Sequence, residues 1–355
     1  MAECTFGRCG TWRDLAWDSA RALAPRGALV ERSQAARRGS QARAGGMVVR
    51  MSASANPTGH APSHGASTGN AGAERAAEGQ TPITLQSIHV YPVKGAAGIA
   101  LDEADIDPTG LRHDRRWMVI DRDGRFVSQR QVARLCLVKP RFEDDALVLS
   151  APGMPDLPVP REPEDGTRRD TRVWSDDVPA IVHGGEVRDW LTEFLAQDVG
   201  GPLDLAYFPA DSERQVRQDF GRPTDRVAFA DAFPFLLIGE GSLADLNRRL
   251  VERGADALPM NRFRPNLVLS GTAPYEEDDW SQVRIGGVSF HVVKSAGRCV
   301  VTTTDQATAE VGTEPLATLN TYRREGKAVL FGRYLVQDGE GTVRVGDEVV
   351  VRSAL

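Results

Sequence analysis

From Ile83 onward, apolar and polar positions alternate in short runs broken by Gly, Pro and Asp, the period-two pattern of half-buried strands. ITLQSIHVYPVK (83–94) and GIALDEADID (98–107) read as the first two strands. RRWMVIDRDGRFVSQR (115–130) reads as a hairpin whose Asp123-Gly124 turn suits type I′. LCLVKPRF (135–142), ALVLSAP (146–152), LPVPRE (157–162), TRVWSDDVPAIVH (171–183) and LDLAYFP (203–209) continue the series. Regular short strands predict an antiparallel barrel or sandwich, since parallel βαβ units would need a helix between each pair. The period changes once, at EVRDWLTEFLAQ (186–197). There Val187, Trp190, Leu191, Phe194 and Leu195 make one apolar helix face.

A polar run, 211–230, leads to a second set of elements: a surface excursion that either lines a cleft or is a plain solvated loop. DAFPFLLIGE (231–240) is a strand. GSLADLNRRLVERG (241–254) is a helix with Ser242 as N-cap, Leu243, Leu246 and Leu250 buried and Gly254 as its stop. MNRFRPNLVLSG (260–271) enters a strand through a basic turn, and VRIGGVSFHVV (283–293) is a hairpin about Gly286-Gly287. TEPLATLNTYRREG (313–326) is a short helix capped by Thr313, and 327–339 and 341–351 close the chain as strands. The expected fold is mainly β with a few helices (α+β). Residues 82–210 form one β-rich domain, 211–230 a linker or cleft loop, and 231–352 a second domain.

Residues 1–80 have too little to bury for a core: the first fifty mix Arg with Ala and Gly, and 52–80 are mostly small and polar. An unstructured tail is expected, with Met51 as an alternative start or the segment as an Arg-rich transit peptide. The whole chain has 355 residues and a formal charge of −6, against general nucleic-acid binding. No stretch reaches the ~18 apolar residues a membrane helix needs. Cys4, Cys9, Cys136 and Cys299 form no C-x-x-C pair, and the six histidines no H-E-x-x-H pattern. A disulfide framework and a zinc site are thus disfavoured, and a reducing compartment, the cytoplasm, is the natural home.

Candidate chemistry centres on KSAGRCVVTTTD (294–305). Ser295, Ala296 and Gly297 are expected to break a strand and VVTTT to resume one, presenting Arg298 and Cys299 at a corner. A thiol beside a guanidinium is a nucleophile or soft-metal ligand, though a lone cysteine near a strand is also an ordinary small hydrophobe. Cys136, between Leu135 and Leu137, reads as an inert strand residue. Basic clusters at Lys94, at Arg115 with Arg116, and at Arg262 with Arg264 point to an anionic ligand held between the domains, against solvated strand ends. Walker A, GxGxxG and G-x-S-x-G signatures are missing, and a cysteine hydrolase would have only His291 as nearby partner. Asp305 reads equally well as a turn-capping carboxylate.

YPVKG, GLRHDRRWMVID, FPFLLIGEGSLADLN, RFRPNLVLSG and GRCVVTTTD, in this order, resemble the MOSC proteins. They are more closely similar to the mitochondrial amidoxime-reducing components and their bacterial homologues. The resemblance covers about residues 82–352. It implies an N-terminal β-rich domain, a MOSC β-barrel and, between them, a molybdenum cofactor whose pterin carries a phosphate and a dithiolene. Carried over by position, Cys299 is the catalytic thiolate on molybdenum. Lys94, Arg115 and Arg264 bind the pterin and its phosphate, the backbone of Gly297 and Arg298 leads to the metal ligand, and Asn266 orients the strand or the pterin. Gly95 stands where the mitochondrial proteins have Ser, and Ala232-Phe233 where they have Thr-Ser, so these sites offer only backbone groups. The implied activity is reduction of N-hydroxylated compounds (hydroxylamines, amidoximes, N-hydroxylated bases). Because GDEVVVRSAL follows without another cysteine and no dinucleotide fingerprint is present, the expected electron donor is a separate ferredoxin, flavodoxin or cytochrome b5-like protein. The alternative is a MOSC carrier of cofactor or sulfur with a persulfide on Cys299. The sulfurases pair such a region with a pyridoxal phosphate-binding domain, for which this chain is expected to have no room.

Overall fold

Nine strands of the computed structural model, which describes residues 81–353, share one sheet. Across it run Val349–Ser353, Trp280–Ile285, Val288–Arg298, Ala328–Gln337, Phe235–Gly239, Leu267–Ser270, Thr84–Val90 and Ile99–Leu101, with Arg324–Glu325 beside Ala328–Gln337. The Val349 N–H donates to the Ile83 carbonyl and the Leu85 N–H to the Asp347 carbonyl, both at 2.9 Å. One end of the path therefore meets Thr84–Val90, the strand next to its other end, and the inward positions Leu85, Phe235, Leu267, Phe290 and Leu335 form one buried core. The alternation expected over 83–94 holds only in part. Leu85, Ile88 and Val90 are buried, but a bulge at 85–87 shifts the period, the strand ends at Val90, and Val93–Lys94 joins a different sheet.

A five-stranded sheet orders Thr167–Val173, Asp176–His183, Asp204–Tyr207, Trp117–Ile120 and Val93–Lys94. Three-stranded sheets hold Lys139–Glu143, Ala146–Ser150 and Leu157–Pro160, and Gly341–Arg344, Glu103–Asp107 and Gly110–Leu111. The Glu186–Val199 helix buries Trp190, Leu191, Phe194 and Leu195 in a core shared with Trp117, Leu149 and Leu205. The chain is mainly β with a few helices, as its pattern predicts. The expected tail at 1–80 lies outside the described residues.

Several local expectations give way to stronger local forces. Phe235–Gly239 and Leu267–Ser270 pair in parallel, with the Glu240–Glu252 helix between them, so one βαβ unit sits inside a mostly antiparallel pattern. The other parallel ladder joins Val93–Lys94 to Trp117–Ile120. The Glu240–Glu252 helix starts at Glu240 rather than at Ser242. Ser242 is fully buried because its hydroxyl donates to the Glu277 carboxylate, which competes with capping. Gly254 does end the helix: its φ is +80°, and the Ala255 N–H reaches back to the Leu250 carbonyl. The 123–124 turn is not type I′, which needs positive φ at both central residues; only Gly124 has it. The Asp121 carboxylate builds the turn instead, accepting from the Asp123 and Arg125 N–H groups. Leu135–Cys136–Leu137 lies in a 3-10 turn, Ala133–Leu137, not a strand. The helix expected over 313–326 is a single turn, Leu316–Leu319, and Thr313 contributes its carbonyl rather than a side-chain cap.

Candidate active site

The chain passes directly between the nine- and five-stranded sheets at three places: Tyr91-Pro92, 95–98 and 208–234. Backbone bonds lock two of these crossings to Arg115. Its N–H donates to the Tyr91 carbonyl at 2.9 Å, and its carbonyl accepts from the Phe229 N–H at 3.0 Å. Polar side chains at such crossings cannot join either core, and here they gather.

Cys299 closes this gathering from the barrel side. The Val288–Arg298 strand is not broken at 295–297 but continues through two register shifts. The β-branched run after it is a 3-10 turn, Val300–Thr303, that begins from Cys299. The turn is held by the Cys299 carbonyl, which accepts from the Thr302 N–H and hydroxyl at 3.0 and 2.9 Å. Cys299 thus stands half-buried at a strand-to-turn corner. The Arg130 Nη2 donates to its sulfur at 3.4 Å. The same guanidinium lies 3.6 Å from the Asp231 carboxylate and 4.7 Å from the Trp174 ring centroid. Burial alone would weaken the charge on Arg130, but Asp231 and Cys299 outweigh it and raise its pKa. Asp231 also meets Lys94, whose Nζ donates to it and, at 2.8 Å, to the Phe229 carbonyl. Burial pushes Lys94 down to about 8 despite this partner. Burial would raise Asp231, yet Lys94 and Arg130 hold it well below the usual carboxylate range. The segment carrying Asp231 is fixed from behind by buried Arg214, which donates to the carbonyls of Ala228, Ala230 and Asp231. The polar 211–230 stretch is therefore no plain solvated loop.

A second layer surrounds Tyr91. The guanidinium carbons of Arg115 and Arg264 each lie 4.3 Å from its ring centroid, and its hydroxyl donates to the Pro265 carbonyl. Both arginines have left-handed backbone, φ 47° and 56°. Burial lowers Arg264 to about 10, and its Nη1 donates to the Ala96 carbonyl at 2.6 Å. Asn266 is buried and spans three elements. Its Oδ1 accepts from Arg115 Nη1 and the Leu236 N–H, and its Nδ2 donates to the His89 carbonyl. It orients strands and an arginine. Gln129 and Gln306 exchange amide bonds at 3.1 and 3.0 Å, tying the segment after the hairpin to the Cys299 turn.

Lys94, Arg115, Arg264, Asn266, Arg298 and Cys299 thus belong to one connected region. Gly95 has φ +86°, and a Cβ there would come within 2.6 Å of the Leu135 side chain, so the local backbone favours glycine over serine. Its carbonyl accepts from Gln129. Phe233 stacks on Tyr334 at 4.9 Å rather than offering its backbone alone, and Ala232 packs in the same cluster. Gly297 is exposed, paired with Leu330. Arg298 donates to the Phe263 carbonyl at 2.6 Å. Asp305 caps its turn, accepting from Ala307 and Thr308 N–H groups, and pairs with Arg262. Cys136 is buried, its thiol pushed up to about 11 by burial. The structure adds Arg130, Asp231 and Gln129, which the sequence reading missed. Arg130 was signalled only weakly, as a cation directly after a hairpin arm.

Six cations (Lys94, Arg115, Arg130, Arg262, Arg264, Arg298) face three carboxylates (Asp114, Asp231, Asp305), in a chain of formal charge −6. The buried Nε atoms of Arg130, Arg262 and Arg298 have no hydrogen-bond partner, leaving donors for an anion. Among the described residues no cluster of three His, Cys, Asp or Glu could hold a metal alone. A metal at Cys299 would bring most of its own ligands, as one bound to an anionic organic cofactor does. The residues present fit that group.

Fold and site define a mainly β protein with a single-thiol, cation-lined centre. Residues 82–198 match the MOSC N-terminal beta barrel domain and 224–350 the MOSC domain. The chain is 37% identical over 283 residues to mitochondrial amidoxime-reducing component 1 of Homo sapiens, covering 75% of this chain and 82% of that protein. It is 34% identical, with the same shares covered, to mitochondrial amidoxime reducing component 2 of Bos taurus. The chain belongs to the family of MOSC proteins that includes the mitochondrial amidoxime-reducing components.

Proposed function

We propose that this chain is an oxidoreductase that reduces N-hydroxylated compounds to the corresponding amines or amidines, using a molybdenum cofactor held on Cys299. The observation that carries the proposal is the Cys299 sulfur, half-buried and 3.4 Å from Arg130, in a cluster with excess positive charge and unpaired buried donors. The amidoxime-reducing relatives supply the reaction class. When bound, the cofactor would supply two-electron redox chemistry.

The protein's residues do the rest. Lys94, Arg115 and Arg264 would bind the pterin and its phosphate. Cys299 would supply the one protein ligand, with Arg130 fixing the sulfur's direction. Asn266 and the Gln129–Gln306 pair hold these side chains against two sheets, so that binding does not have to order them. Asp231, ionised between Lys94 and Arg130, spaces the two cations. Electrons would come from a separate protein of ferredoxin, flavodoxin or cytochrome b5-like type, in a reducing compartment such as the cytoplasm.

Metal analysis of purified protein tests the proposal. About one molybdenum per chain, lost together with hydroxylamine reduction in Cys299→Ala, supports it. Labile sulfur on Cys299 without metal would overturn it in favour of a carrier.

A further inference from the structure

Reducing an N–O bond consumes protons as well as electrons, and most groups near Cys299 cannot give one. Asp231 is held ionised by Lys94 and Arg130. The Tyr91 hydroxyl is committed to the Pro265 carbonyl, and the Thr302 and Thr303 hydroxyls to carbonyls of their own turn. Tyr334 differs. It lies on Ala328–Gln337, opposite Lys294 of the neighbouring strand that ends at Cys299. Its ring stacks on Phe233, two residues from Asp231, at 4.9 Å and 28°. No hydrogen bond joins its hydroxyl to a described residue, and that oxygen is not among the buried unpartnered atoms. A half-buried phenol stacked on one ring and left unpaired is poised for a ligand.

Resting on the reductase reading, we propose that Tyr334 is a catalytic residue of this site, donating its phenolic hydrogen bond, and then its proton, to the hydroxyl oxygen of an N-hydroxylated substrate. The balance is R–NHOH + 2 e⁻ + 2 H⁺ → R–NH2 + H2O. The N–O bond breaks; the leaving oxygen keeps its own hydrogen, takes one proton from Tyr334 and departs as water. The nitrogen keeps its own hydrogen and takes the second proton from solvent. Solvent then returns the proton to the tyrosinate. Both electrons come from an external one-electron reductant. The charges acting on the phenol are those of Arg298, Asp231, Cys299 and Arg130, and burial keeps it protonated at neutral pH.

The test is Tyr334→Phe in cofactor-loaded full-length protein. This variant keeps the ring stack and removes only an unpaired hydroxyl, so melting temperature and molybdenum per chain should match wild type. With reduced viologen and benzamidoxime, kcat should fall at least about tenfold, toward the low end of general-acid effects, with KM changed far less. Without reductant, benzamidoxime should bind roughly fivefold more weakly, the loss of one hydrogen bond, while benzamidine binding stays unchanged. A Tyr334→Phe protein with full molybdenum and kcat within twofold of wild type overturns the proposal. So does a fall in kcat that merely tracks lost molybdenum, which would make Tyr334 a cofactor-holding residue. Wild-type protein without molybdenum or reductase activity instead refutes the underlying reading, and this inference with it.

Discussion

Replacing Asp231 by Asn removes the one negative charge shared by Lys94 and Arg130 while keeping the shape and a hydrogen-bond acceptor for Lys94. The Lys94 side chain is 7% exposed and that of Asp231 49%. Breaking a fully buried ion pair costs about 3–5 kcal/mol, and an exposed pair is worth about 0–1 kcal/mol. With one partner buried and the other half open, about 2 kcal/mol is expected. At roughly 2–4 °C per kcal/mol for a domain of this size, the melting temperature should fall by roughly 4–8 °C. The loss should depend on pH. Asp231 titrates below the usual carboxylate range, so its contribution is present at neutral pH and lost on acidification. Lys94 binds its proton less tightly folded than unfolded, so its own burden lifts as pH rises from about 8 toward 10.5. An uncharged Lys94 gains little from Asp231, so the gap between wild type and variant should narrow above pH 8 to the part that Arg130 still contributes. Phosphate should also restore the variant, because an anion replaces the missing carboxylate. At 100 times its Kd it adds about 2.7 kcal/mol. Scanning calorimetry of cofactor-free protein from pH 6 to 9.5, with and without phosphate, reads all of this. A variant as stable as wild type, or one that phosphate helps no more than it helps wild type, would refute the idea that this cluster is a cationic cradle.

Cys136→Ala should leave hydroxylamine reduction intact and cost about 1 kcal/mol by calorimetry, since the thiol is a buried filler behind the Cys299 turn. Asn266→Ala removes three hydrogen bonds, one buried and two part-buried, about 3 kcal/mol, and should loosen Arg115. A melting temperature within 2 °C of wild type would contradict that. The purified chain should turn over with dithionite-reduced viologen but not with NADH alone, and steady NADH-driven turnover would reveal a nucleotide site.

The strands and the Glu186–Val199 helix were legible because each carries a full period of apolar residues. Cys299, Lys94, Arg115 and Arg264 were legible because each sits beside a Gly, Pro or β-branched break where side chains leave the cores. What period cannot show is competition. Ser242 looks like a cap but meets Glu277, 35 residues away, and Asp121 takes over the turn that Asp123-Gly124 advertises. Arg130 and Asp231 stayed hidden for a related reason. Each is ordinary in its own segment and gains its role from partners far along the chain, as Arg130 does with Asp231 and Cys299.

The barrel's closure has a consequence for the order of events at synthesis. Thr84 pairs with Glu348, and Gly341–Arg344 pairs with Glu103–Asp107. The first strands therefore wait for the last residues before their edges are satisfied, a non-local arrangement that is costly to nucleate. Neighbours such as Trp117–Ile120, Asp176–His183 and Asp204–Tyr207 can assemble while the ribosome is still making the rest. The Cys299 turn packs against a barrel finished only at its C-terminal end. On the proposed function, cofactor loading should thus be a late, post-translational event, and a nascent chain stalled before residue 340 should carry none.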